Sequence, residues 1–130
     1  MFKNIVLYKW ISVIFVKKGD KIKIDNETYM DVLFPSNNLI SDNILNNNSI
    51  VTKICYNNFS ILFTGDVEEI AEKEICSQYN TTNKSKANIL KVAHHGSKTS
   101  STAEFIKMVK PQIALIGVGE KNKFGHPNDG

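Results

Sequence analysis

A chain of 130 residues suits one small domain and leaves no room for two. With 42% hydrophobic and 22% charged residues it can build one core, which excludes a disordered tail. A formal charge of +3 and a pI of about 8.8 give a mild basic excess that favours an anionic partner only weakly; even the cluster Lys17, Lys18, Lys21 and Lys23 reads as solvated surface, sparser than a nucleic-acid patch.

Cys55 and Cys76 lack CxxC spacing, so neither a disulfide framework nor a cysteine-based zinc knuckle is expected. Both read as buried free thiols, one on a strand and one on a helix face. The longest apolar stretch, 5–16, is interrupted by Lys9 and falls short of the roughly 20 residues a membrane span needs. It also lacks a small-residue cleavage site, and so reads as core strand in a soluble chain.

In chain order, 11–16 and 21–24 are predicted strands separated by the turn Gly19-Asp20. A third strand, 29–34, stops at Pro35. The Asn-rich stretch 35–48 predicts an exposed loop. Segments 49–56 and 59–63 flank Asn57-Asn58 as a hairpin. The period then changes: apolar residues at 67, 70, 71 and 75, with Glu68 and Glu69 in the first turn, predict a helix over 67–76. After a polar loop, 77–86, comes a short strand, 87–93. Ser101 and Glu104 form a capping-box pattern for a helix carrying Phe105, Ile106 and Val109 on one face and ending at Pro111. A strand over 112–118 and a polar loop over 119–130 complete the chain. Strands first, then helix, strand, helix, strand, favour a layered α/β or α+β sandwich over a barrel.

The chemistry-bearing residues fall at the ends of these strands. The only histidines are His94, His95 and His126. The adjacent pair ends a predicted strand and is followed by Gly96 and Ser97, a position where loops converge on clefts in folds of this class. Imidazole and carboxylate together make a di-metal donor set. Asp66, after the strand that runs into Thr64-Gly65, is either such a donor or the N-cap of the following helix. His94 and His95 are either ligands or one packed and one exposed ring. A lone Gly125-His126-Pro127 is ordinarily a turn, and only its combination with the others suggests a metal site.

The run TGDVEEIAEKEI (64–75), then ILKVAHHGSKTSSTAEFIKMVKPQIALIGVGEKNKFGHP (89–127), resembles the metallo-β-lactamase-like domain of the ComEC family of DNA-internalisation competence proteins. Upstream, NNNSIVTKICYNNFSILFTGD is similar to the Asn-Asn-x-Ser segment and hairpin preceding the TGD motif there. The resemblance spans about 45–127, more loosely from residue 11. TGD alone is a weak signal; AHHGSKTS followed by GHP is a specific one. Stand-alone metallo-hydrolases share the same arrangement.

The resemblance implies the C-terminal half of a metallo-β-lactamase fold of αββα-sandwich type. It gives Asp66 the position of a carboxylate bridging two divalent metal ions, zinc or manganese. His94, nearer the strand, is the favoured ligand of the pair, with His95 a catalytic, substrate-facing or supporting group, or the reverse. His126 matches the histidine that completes the second metal's shell. Ser97 and Lys98 lie beside the site, either as phosphate contacts or as plain loop residues, and Lys98 or the Gly96 N–H is placed to offset phosphodiester charge. The family also carries an earlier His-x-(His/Asp)-x-Asp-His motif, and residues 1–93 contain no histidine. The expectation is therefore a single partial domain over 1–130, lacking that motif and the family's final helix, and inactive alone although its parent is a hydrolase. The implied partners are DNA or another phosphodiester and the missing N-terminal half of the domain; the implied parent is membrane-associated. The competing functions are a stand-alone hydrolase of a small phosphoester or lactone, and a non-catalytic remnant or interaction domain.

Overall fold

Period-two segments joined by tight turns build a meander, and period-3.6 segments between the later strands build crossovers. In the computed structural model, which describes residues 12–128, these give six strands and two helices. The strands are β1 (Lys21–Lys23), β2 (Thr28–Phe34), β3 (Val51–Tyr56), β4 (Phe59–Phe63), β5 (Ile89–Lys91) and β6 (Ile113–Leu115). The helices are α1 (Glu69–Tyr79), between β4 and β5, and α2 (Ala103–Val109), between β5 and β6. One mixed sheet runs in the order β1-β2-β3-β4-β5-β6, antiparallel as far as β4 and parallel from β4 to β6. The fold is thus α/β.

Two successive crossovers in the same direction carry both helices to one face of the sheet, where they pack together. That face holds the core. Leu62 of β4 and Leu90 of β5 lie side by side in register, against Ala71, Ile75 and Cys76 of α1 and Phe105 and Val109 of α2. Burial of each large side chain here contributes roughly 1.5–3 kcal/mol. Tyr79 ties the end of α1 to β2 by donating its hydroxyl proton to the Leu33 carbonyl (3.0 Å). Both cysteines are free and buried, Cys55 on β3 and Cys76 on α1. Burial, with Glu104 and Glu72 nearby, pushes the Cys76 thiol up to about 11, so it remains protonated near neutral pH.

Several predicted boundaries move. Of the apolar stretch 5–16, residues 5–11 lie outside the described part, and 12–16 form no strand: Ile14 and Phe15 are 80% and 91% exposed. Helix α1 starts at Glu69, two residues late, because fully buried Val67 is taken into the turn after β4. The capping box is displaced. Thr102, not Ser101, is the N-cap of α2 and accepts the Phe105 N–H, while Ser101 adopts a φ of 62°. The predicted strands 87–93 and 112–118 shorten to three residues each, the remainder serving as loop except Ala93, which opens a single 3-10 turn over Ala93–Gly96. The loop 35–48 is not wholly exposed either, since Asn47 is fully buried.

The second face of the sheet has no covering layer among the described residues. A single cross-strand row runs Ile22–Met30–Ile54–Ile61–Ile89–Ile113 through all six strands. None of these six side chains is fully buried, and Ile22 and Ile113 are 40% and 52% exposed. Phe63 and Leu115 add to the same face from the next row. An apolar surface that spans a sheet is the signature of an interface. Among the described residues, no helix is long and apolar enough to cross a membrane.

Candidate functional site

Because β4, β5 and β6 are parallel, the segments that leave them emerge along one edge of the sheet. Those segments are 64–68, 92–100 and 116–128, and they carry TGD, AHHGS and GHP. Backbone bonds join them: His94 N–H donates to the Gly65 carbonyl (3.1 Å), and Asn128 N–H to the Gly96 carbonyl (2.9 Å).

Each turn has a local cause. Gly65 has a φ of +57°, and a Cβ there would lie 2.6 Å from the Ser49 Cβ. Only glycine fits that combination. Ser49 Oγ then accepts the Asp66 N–H (3.1 Å), and the buried Asn47 accepts the Glu68 N–H (3.1 Å) through its side-chain oxygen. The Asn-rich loop is therefore a wedge beneath the TGD turn. His94, His95 and Gly96 all have positive φ (44°, 55° and 77°), three left-handed residues in succession. For two non-glycine residues this is strained backbone held by its surroundings. Gly96 lies so close to Pro127 that a Cβ would approach the proline Cβ to 2.8 Å.

The four predicted site residues come together as two pairs. His95 Nε2 lies 3.6 Å from Asp66 Oδ1. The other ring nitrogen of His95 bonds the Gly117 carbonyl, which can only accept, so Nδ1 carries the proton. In the neutral ring Nε2 then presents a lone pair toward a carboxylate, two acceptors facing each other. A cation or a proton between them satisfies both, and a backbone carbonyl fixing the far nitrogen is the usual support of a metal-binding histidine. Helix α1 has Glu68 at its N-cap position, so Asp66 does not cap it.

In the second pair, the His94 ring meets the His126 ring edge-on at 5.6 Å between centroids. His94 Nδ1 lies 3.2 Å from Glu68 Oε1, yet out of line for a hydrogen bond, and is a buried nitrogen without a hydrogen-bond partner. His126 Nδ1 is 3.1 Å from Asn128 Oδ1. Among the described residues, no three His, Cys, Asp or Glu side chains converge closely enough to hold an ion by themselves.

Sequence reasoning missed Glu68, which it assigned only to the helix dipole. Burial alone pushes its carboxyl up. Hydrogen bonds from Asn43 and Thr99, and the neighbouring His94, outweigh that and hold it below the usual glutamate range. Its charge faces the buried His94 nitrogen. The signal available was its place two residues after Asp66. Ser97 is buried with its hydroxyl against Thr99, whereas the Lys98 side chain is exposed beside the site.

No family model matches the chain. It is 35% identical over 118 residues to ComE operon protein 3 of Bacillus subtilis (strain 168), covering 91% of this chain and 14% of that protein. It is 38% identical over 84 residues to the uncharacterized protein YcaI of Escherichia coli (strain K12), covering 65% of this chain and 11% of that protein. The competence protein ComA of Neisseria gonorrhoeae is 31% identical over 84 residues, again 65% of this chain and 12% of that protein. The chain therefore spans about a tenth to a seventh of the relatives it matches. The first and third of these relatives point to the competence proteins.

Proposed function

We propose that the chain is the C-terminal half of a metallo-β-lactamase-like domain whose whole hydrolyses a phosphodiester, DNA in competence-type uptake, with divalent metal. The observation that carries this reading is the His95–Asp66 pair, with Nε2 turned to the carboxylate and Nδ1 tied to a carbonyl. The competence relatives supply the context. Asp66 and His95 would hold one zinc or manganese ion, and His94 and His126 would contribute to the other. Such ions lower the pKa of bound water towards about 7 and clamp a phosphoryl group.

Two donors per ion leave a shell open, since zinc ordinarily takes four ligands. We infer that a second layer, lying on the bare apolar face, brings the remaining ligands and completes the sandwich. By itself the chain binds metal weakly and does not turn over. Calorimetric titration of the 130-residue chain with zinc tests the assignment. Asp66→Ala and His95→Ala should each weaken binding at least about tenfold. Equal affinity in wild type and both variants would remove these residues from any metal site.

A further inference from the structure

We propose that the recess beside His95 and His126 is a seat for one unpaired nucleobase, with Phe124 as its stacking platform. This deepens the nucleic-acid reading of the site and rests on it, but it does not depend on bound metal. The recess has a volume of about 210 Å³ and is lined by His95, Val118, Gly119, Asn122, Phe124 and His126. It adjoins the predicted metal donors, where a nucleotide with its phosphate at the site would place its base.

Phe124 is 78% exposed, yet its turn is tightly fixed. The Asn122 side-chain oxygen accepts the N–H groups of Phe124 (3.2 Å) and His126 (3.0 Å). The Asn122 amide group donates to the carbonyls of Gly119 (3.0 Å) and His126 (2.7 Å). A large apolar ring is thus held out in water by four hydrogen bonds from one side chain, an arrangement that core packing does not explain. The ring lies nearly parallel to that of His126, 5.9 Å between centroids and 16° between planes. A planar group entering the recess meets aromatic surface beside an imidazole.

The surrounding charge selects among planar ligands. Lys121 and Lys123 precede the ring in sequence and are exposed, and with exposed Glu120 they leave the stretch net positive. Lys98, also exposed, is docked to this turn through its N–H on the Asn128 side-chain oxygen (3.1 Å). An exposed aromatic on a net-positive turn matches a base with its attached phosphates, the combination that single-strand binding surfaces use. Bases in a duplex have both faces stacked, so the strand must be unpaired here.

Fluorescence anisotropy of the 130-residue chain in chelator, with labelled oligothymidylate and an abasic oligodeoxynucleotide of equal length, tests the seat. Phe124→Ala should weaken oligothymidylate binding about tenfold and leave abasic binding unchanged, and Phe124→Tyr should retain wild-type affinity. Equal loss on both oligonucleotides, no loss on either, or no binding of oligothymidylate by wild type would each overturn it. The chelator separates this result from the metal assignment: loss of zinc binding leaves the seat standing, and zinc binding without base preference sinks only the seat.

Discussion

Glu72→Ala should lower the unfolding free energy of the chain by about 3 kcal/mol, although Glu72 touches none of the candidate site residues. Glu72 lies on the inner face of α1, fully buried, and its two carboxylate oxygens accept the N–H groups of Ser101 (2.6 Å) and Thr102 (2.7 Å). Those two residues close the 97–102 loop and start α2, so the carboxylate joins both helices to the segment that follows the histidines. Removing it strands two backbone donors and opens a small cavity. Urea unfolding measures the loss, and a change below about 0.5 kcal/mol would show that the loop is held by other means.

The same residue has a pH signature. Burial pushes the Glu72 carboxyl above its ordinary range, against the pull of the Thr102 and Ser101 N–H groups. A carboxyl with a folded pKa above its unfolded value contributes stability that is fully present below the unfolded pKa, about 4.3, and is lost as pH rises through the folded pKa. The stability difference between wild type and Glu72→Gln should therefore shift against wild type as pH increases through that window. A difference independent of pH would contradict the raised pKa.

Gly65→Ala should cost about as much, roughly 3 kcal/mol, for two separable reasons. A left-handed alanine costs about 1–2 kcal/mol, and forcing a Cβ against the Ser49 Cβ adds an overpacking cost of about 1–3 kcal/mol. Gly65 is at φ +57°, and the Cβ–Cβ approach would be 2.6 Å. Because Ser49→Gly by itself also removes the acceptor of the Asp66 N–H, the comparison is a double-mutant cycle: measured in the Ser49→Gly background, Gly65→Ala should recover the packing part of its cost but not the backbone part. Full recovery would mean that the left-handed conformation is not required, and no loss in Gly65→Ala alone would mean that the turn relaxes freely.

Strand pattern and turn chemistry made most of the sheet legible. The hairpin across Asn57-Asn58 appears where predicted, with Asn57 at φ 50°, because that turn needs a residue tolerant of positive φ. The stretch 12–16 misled because its apolar residues resemble a strand in composition while finding no partner among the described residues. The start of α1 was misplaced because Val67 fits the helical period equally well from the turn before it. Local patterning also favours Ser101 as a cap. Only the tertiary bonds from Glu72 place Ser101 in a left-handed conformation and pass the capping role to Thr102.

At the site, motif spacing identified which residues emerge at one edge of the sheet, since parallel strands bring their ends together. It could not reveal how they pair. That depends on three left-handed residues at 94–96 and on the Gly117 carbonyl, features set by tertiary contact. Sequence reasoning favoured His94 as the ligand of its pair. The geometry draws His95 toward Asp66 and His94 toward Glu68 and His126. The second face of the sheet was not legible as one surface, because its row of apolar side chains depends on a register across six strands.

The most direct test of the metal reading is long-range proton–nitrogen correlation of the three histidine rings during a zinc titration. Before zinc, His95 should show the Nδ1–H tautomer. On addition, His95 Nε2 should shift as a metal-bound nitrogen, with His94 and His126 responding to a second equivalent, and Asp66→Ala should move the His95 response to at least about tenfold higher zinc. Unmoved imidazole nitrogens at saturating zinc, or a His95 response at the same zinc concentration without Asp66, would contradict the account.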